Sequence, residues 1–221
     1  MVQKLKQKVM DGKEITKEEA MTLAEADLDE LCQAADEIRK HFCGKVFDIC
    51  SCINVKGGKC SEDCKFCPQS CFNDKVEVKP HTLIGSDQML EEAAYMAQKG
   101  VVRCDLVSSG RRLPKDDVRK IVQDIERIRK ETGIAVCCSF GLLDQEDCEM
   151  LRKAGITRLH NNLESSRTFF TGVCSSHSTD DKMATLRAAR AAGLTLCSGC
   201  LINLGESMDC LLYTSDAADD K

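Results

Sequence analysis

The chain has 221 residues, 43% hydrophobic and 30% charged, with a net charge of −5, a balance that suits a globular protein able to bury a substantial core. No basic stripe accompanies that charge, which argues against nucleic acid as a partner. The N-terminal Met1-Val-Gln-Lys-Leu-Lys-Gln-Lys leads into no apolar run or small-residue cleavage site, and no stretch approaches the ~20 apolar residues of a membrane span, so a cytoplasmic protein is expected.

From Thr16 to Lys40 apolar residues recur at helical spacing (Ala20, Leu23, Ala24, Leu28, Leu31, Ala35, Ile38), which predicts two helices, the second opening near Asp27. The run from Val46 to Val55 reads as a strand, closed by Lys56-Gly-Gly-Lys59. Four helix–glycine–strand units follow. The helices are expected over Ser86–Lys99, Pro114–Thr132, Asp144–Ala154 and Thr179–Ala192, with Ser86 as an N-cap. The strands are expected over Val101–Val107, Ile134–Cys138, Ile156–Leu163 and Leu194–Ile202. Gly100, Gly133, Gly155 and Gly193 stand where a left-handed helix end is needed. The strands are short and apolar, like those of parallel sheets buried on both faces. Alternation of this kind implies right-handed crossovers and an α/β fold, here an incomplete (β/α)8 barrel of about five strand–helix units preceded by N-terminal helices; a closed barrel typically needs ~250 residues. Cys60, Ser108-Ser-Gly110, Asn161-Asn162 and Gly205-Glu206 are then expected to meet at the C-terminal ends of the strands, where barrel enzymes keep their sites.

Cys60-Ser-Glu-Asp-Cys64-Lys-Phe-Cys67 carries the chemistry. Three thiolates within eight residues of a polar loop can turn toward one centre, and three ligands on a four-iron cluster leave one iron open to a substrate. Structural zinc is the alternative, with Cys71 as fourth ligand, although zinc sites usually pair cysteines as C-x2-C. Sixteen cysteines in a chain of this length and pattern fit reduced thiols better than a disulfide scaffold. Cys32, Cys43, Cys148 and Cys174 are expected to be small buried hydrophobes.

Lys59-Cys-Ser-Glu-Asp-Cys-Lys-Phe-Cys-Pro-Gln-Ser70, Arg158-Leu-His-Asn-Asn-Leu-Glu-Ser-Ser166 and Thr195-Leu-Cys-Ser-Gly-Cys-Leu-Ile-Asn-Leu-Gly-Glu206 together resemble the biotin synthase family of radical S-adenosylmethionine enzymes, from about Glu19 to Met208. The resemblance implies a [4Fe-4S] cluster on Cys60, Cys64 and Cys67 whose fourth iron takes S-adenosylmethionine. It also implies dethiobiotin as substrate, hydrogen abstraction by a 5′-deoxyadenosyl radical, and insertion of sulfur. Phe66 stands where the family packs an aromatic near adenine, although loop packing explains it equally well. Glu164 matches an acidic residue at the S-adenosylmethionine site and Lys182 stands where many members have a cofactor-binding arginine. Asn162 matches the asparagine that binds dethiobiotin, while Asn161-Asn162 is also a plausible turn. A reducing protein of flavodoxin or ferredoxin type and a homodimer at full length are further implications.

The family's auxiliary cluster, a [2Fe-2S] centre, is where the sequence departs. Cys137 and Cys197 align with two of its ligands. Asp105 falls on the third, and Cys104 stands one residue early, on the opposite face of a strand. Either Asp105 itself ligates, or Cys138 or Cys200 takes over, or the site is altered; the same one-step argument counts against Cys138. The arginine ligand is expected beyond Asp209.

Cys210-Leu-Leu-Tyr-Thr-Ser-Asp-Ala-Ala-Asp219 looks like a translated library adapter. The expected organisation is therefore a helical extension over 1–45, a partial barrel over 46–209 and a non-native tail over 210–221, with a poorly soluble, inactive fragment as the consequence. Another radical enzyme of this group, such as a hydrogenase-maturation or methylornithine type, is the near alternative; Cys137 and Cys197 argue against it. A non-catalytic zinc protein is the distant one.

Overall fold

A computed structural model describes residues 1–212; most of the tail expected from residue 210 lies outside the described residues. The chain forms two compact units, one from Met1–Phe47 with the residues from Ile202 onward, the other Asp48–Leu201. In the first, α1 (Val2–Met10), α2 (Lys17–Leu23) and α3 (Leu28–Cys43) follow in order. Thr16 and Glu19 make a capping box at the start of α2, and Asp27 caps α3 by accepting from the Glu30 N–H. The α1 helix was not anticipated. Cys32 and Cys43 are exposed, not buried as expected. The reason is geometric for Cys32: Ala34 is the buried position of α3, and two residues turn the helix by ~200°.

The second unit is a five-stranded parallel sheet in the order β1-β2-β3-β4-β5. Its strands are β1 (Cys50–Lys56), β2 (Arg103–Ser108), β3 (Ala135–Ser139), β4 (Arg158–His160) and β5 (Thr195–Cys197). The connecting helices are α4 (Ser86–Gln98), α5 (Lys115–Thr132), α6 (Gln145–Ala154), a short α7 (Arg167–Phe170) and α8 (Thr179–Ala191). The strand–helix alternation read from sequence is therefore the observed architecture, an open sheet. All four helix-ending glycines have positive φ, from 70° to 101°. Two details differ. Strand β1 begins at Cys50, leaving Val46 and Phe47 exposed, and the N-cap of α4 is Gly85, because the Ser86 hydroxyl is engaged by Asp124.

Register fixes which side chains share a face. Ile53, Leu106, Cys138 and Leu159 lie in one cross-sheet row and are 0–1% exposed, packed toward the helices. On α5, Val118, Ile121, Ile125 and Ile128 recur at helical spacing and are fully buried. Each such side chain stabilises the fold by roughly 1.5–3 kcal/mol. The opposite face of the sheet carries Cys50, Cys52, Asp105, Cys137 and Arg158.

Candidate active site

The cysteine loop leaves β1 at its C-terminal end and is closed on itself. The Cys60 N–H donates to Gln69 O at 2.8 Å and the Cys71 N–H to Cys60 O at 2.9 Å. Ser109, after β2, clamps the loop's entry: its N–H bonds Lys56 O at 2.8 Å and its hydroxyl Gly58 O at 3.2 Å. Gly58 has φ 78°, and a Cβ there would lie 2.7 Å from Pro80 Cα, so only glycine fits. The next residue, Lys59, is held at φ 48°, a left-handed conformation that non-glycine residues seldom take outside constrained sites.

Burial raises the Cys60 thiol pKa, and backbone N–H groups of Glu62 and Gly110 oppose that shift. Negative charge on Cys67 raises both Cys60 and Cys64, so the three thiols share one electrostatic neighbourhood. They do not form a single-ion triad. Sulfurs on one zinc at ~2.3 Å each lie under ~4 Å apart, whereas the group that converges within 4.8 Å among the described residues is Cys64, Cys174 and His177. Cys71 is exposed and outside that group. The backbone N–H groups that favour a Cys60 thiolate and the charge coupling among the three thiols suit soft-metal ligation.

Sequence reasoning missed what holds this loop. Asp63 accepts from the Ser175 and Ser176 N–H groups at 2.9 and 3.0 Å and from the Ser175 hydroxyl and the Cys174 thiol. Those bonds keep its carboxyl far below the usual carboxylate range, Ser175 first among them. Glu62 bonds His177 Nδ1 at 2.7 Å and the Ser176 hydroxyl at 2.9 Å, and Arg111 reaches both Glu62 and Ser176 O. Cys174 Sγ is 3.6 Å from Cys64 Sγ. Two signals were available: adjacent carboxylates inside the cysteine loop, and the Cys174-Ser-Ser-His177 spacing.

After β4, Asn161 and Asn162 form no turn: the Asn161 N–H extends the pairing to Cys197 O at 3.0 Å, its Nδ2 donates to Gly141 O at 3.2 Å, and Asn162 O accepts from Lys182 Nζ at 2.8 Å. Glu164 follows at φ 69° and pairs with the segment beyond β5 through Gly199 O at 3.1 Å and Leu201 N at 2.8 Å. Its Oε2 is buried without a hydrogen bond. Burial raises its pKa, opposed by Lys182 and Asn162. Lys182 is 8% exposed and lies 5.1 Å over the Phe170 ring. Burial lowers its pKa, while Glu164, Cys64 and Cys174 act in the other direction. Lys182 thus links Glu164 to the cysteine loop. Phe66 is half-buried in that loop. Gly205 and Glu206 belong to the other compact unit.

On the free face of the sheet, Cys137 is 3% exposed and lies in register with Asp105, and Cys197 on β5 is exposed opposite His160. Asp105 is 7% exposed; Ser139 donates to its Oδ2 at 2.8 Å, while Oδ1 is buried with no partner. Burial raises its pKa, and Ser139 and then His160 oppose the shift. Cys104 and Cys138 point to the helix side and are fully buried; burial pushes Cys104 up to about 12. Cys200 is half-buried in a bridge with Glu164.

A parallel strand–helix sheet with a soft-metal loop after its first strand, and buried charges after its fourth, defines a barrel-type metalloenzyme. Residues 54–218 match the Radical SAM superfamily, and the chain belongs to it. Membership implies a [4Fe-4S] cluster and S-adenosylmethionine as cofactors. The chain is 49% identical to biotin synthase 2 of Corynebacterium diphtheriae over 94% of its own length and 63% of that protein. It is 45% identical to the biotin synthase of Brachyspira hyodysenteriae, over 93% and 61% respectively. It therefore spans less than two thirds of the length of these relatives. Among solved structures it is similar to methylornithine synthase, with TM-score 0.83 and 23% identity over 97% of this chain and 65% of that one. The [FeFe]-hydrogenase maturase HydG gives 0.81 and 19%, over 98% and 49%. At these identities the structural likeness shows the fold.

Proposed function

We propose that the chain carries the cofactor-binding part of a biotin synthase, a radical S-adenosylmethionine sulfurtransferase that inserts sulfur into dethiobiotin. The observation that supports this most is 49% identity to such an enzyme across 94% of the chain. The grouping of Cys60, Cys64, Cys67, Glu164 and Lys182 by loop closure and charge is consistent with it.

In this reading Cys60, Cys64 and Cys67 hold the [4Fe-4S] cluster. Bound there together with S-adenosylmethionine, the cluster would supply the radical chemistry needed to take hydrogen from an unactivated carbon. Glu164 offers its unpartnered Oε2 to a hydroxyl or ammonium of the cofactor. Lys182 supplies positive charge beside it, without the fork an arginine would give, and Phe66 provides an apolar wall. Asn162 offers amide donor and acceptor atoms to the ureido ring of dethiobiotin. Cys137 and Cys197, with Asp105 nearby, would line a second, auxiliary cluster. A flavodoxin- or ferredoxin-type protein delivers the electron, the full-length protein is a cytoplasmic homodimer, and residues 210–221 form a non-native tail.

The test is anaerobic reconstitution with iron and sulfide followed by Mössbauer spectroscopy. Adding S-adenosylmethionine should differentiate one iron site of four, and Cys60→Ser should abolish the effect. A colourless preparation that binds stoichiometric zinc and ignores S-adenosylmethionine would overturn the reading.

A further inference from the structure

A second cluster on the free face of the sheet needs thiolates, and β2 presents a carboxylate there. Asp105 is a poor substitute, since iron–sulfur clusters are held by soft sulfur ligands and a carboxylate is a hard one. Its Oδ1 is already buried and unpartnered. Neither neighbouring thiol on the same strands helps, because Cys104 and Cys138 are fully buried on the helix side.

Strand β1 supplies what β2 lacks. Cys50, Cys52 and Asn54 alternate with the buried Ile53 and Val55, so the two thiols share the face that carries Asp105 and Cys137. Cys52 is directly in register with Asp105, which is in register with Cys137. Cys50 is coupled electrostatically to Cys137, Asp105 and Cys197, whereas Cys52 is coupled to Asp105 and Cys50. Among the described residues it is the β1 thiol joined to both auxiliary cysteines. Its exposure on this face leaves room for a cluster.

We propose that Cys50 replaces the absent β2 thiol as a ligand of the second cluster, together with Cys137 and Cys197. The proposal rests on the reading that such a cluster exists here.

The two readings separate in a Cys60→Ser/Cys64→Ser/Cys67→Ser background of the full chain, reconstituted anaerobically with ferrous iron and sulfide. Iron and acid-labile sulfide per chain are the readouts, with circular dichroism confirming the fold. The background should retain the second cluster. Adding Cys50→Ser should cut its iron at least threefold, and Cys104→Ser should leave it unchanged. Adding Asp105→Cys to the Cys50→Ser variant should restore the iron, a rescue that a merely structural role for Cys50 would not show. Iron unaffected by Cys50→Ser, or lost with Cys52→Ser instead, overturns the assignment and leaves the second cluster standing. A loss that Asp105→Cys fails to rescue also overturns it. A background without iron overturns the second cluster and this inference together.

Discussion

Asp63 contributes to the cysteine loop mainly through hydrogen bonds to a charged acceptor, each typically stabilising by about 1.5–3 kcal/mol. Asp63→Ala should loosen the loop, so that a reconstituted cluster bleaches several-fold faster in air while the circular dichroism spectrum is unchanged. Acid should release the same bracket. The depressed Asp63 carboxyl contributes stability that is complete above its unfolded value of ~3.9 and is lost as pH falls through the folded value. His177 adds an earlier onset: burial lowers its pKa, so the fold prefers the neutral ring and begins to lose stability below ~6.5. Chemical denaturation at a series of pH values should show stability declining in those two windows, and His177→Gln should remove the upper one. Cys60, Cys64 and Cys67 were legible because their spacing is itself the signal. Asp63, Cys174 and His177 were not, because their meaning depends on residues more than 100 positions away in sequence.

Helix α8 brings Lys182 to the site from its first turn, and that turn depends on the capping box of Ser178 and Asp181. Ser178→Ala should destabilise by ~1 kcal/mol and weaken S-adenosylmethionine binding more than it weakens global stability, which calorimetry and thermal melts together would reveal. In α5, Ile125→Ala should cost about 2–5 kcal/mol through cavity formation and lower the denaturation midpoint without altering the cysteine loop. Strands and long helices could be read because hydrophobic period and terminal glycine agree at each junction. The four residues of α7 carry too little periodicity to be read, and the start of β1 was misplaced because Val46 and Phe47 look like strand while remaining exposed. Cys50 and Cys52 were passed over for a related reason: only register shows that they share a face with Asp105.

At the scale of the whole molecule, the sheet ends in β1 on one side, where residues 81–84 pair with its C-terminal end, and in β5 on the other, each with one neighbouring strand among the described residues. Unpaired strand edges template further pairing. The 221-residue chain should therefore self-associate as its concentration rises, which light scattering across a dilution series would register; a monomer at all concentrations would contradict this.

The bracket between Asp63 and Ser175 spans 112 positions. At translation speeds of ~5–20 residues per second, the ribosome needs on the order of 6–20 s after making the first partner to deliver the second. Throughout that interval the three thiols of Cys60, Cys64 and Cys67 emerge without their retaining wall. Iron delivered before the wall arrives meets a floppy chelator, and iron delivered afterwards meets a braced one. The length of that unbraced interval is thus set by how far apart the loop and its brace lie in the sequence.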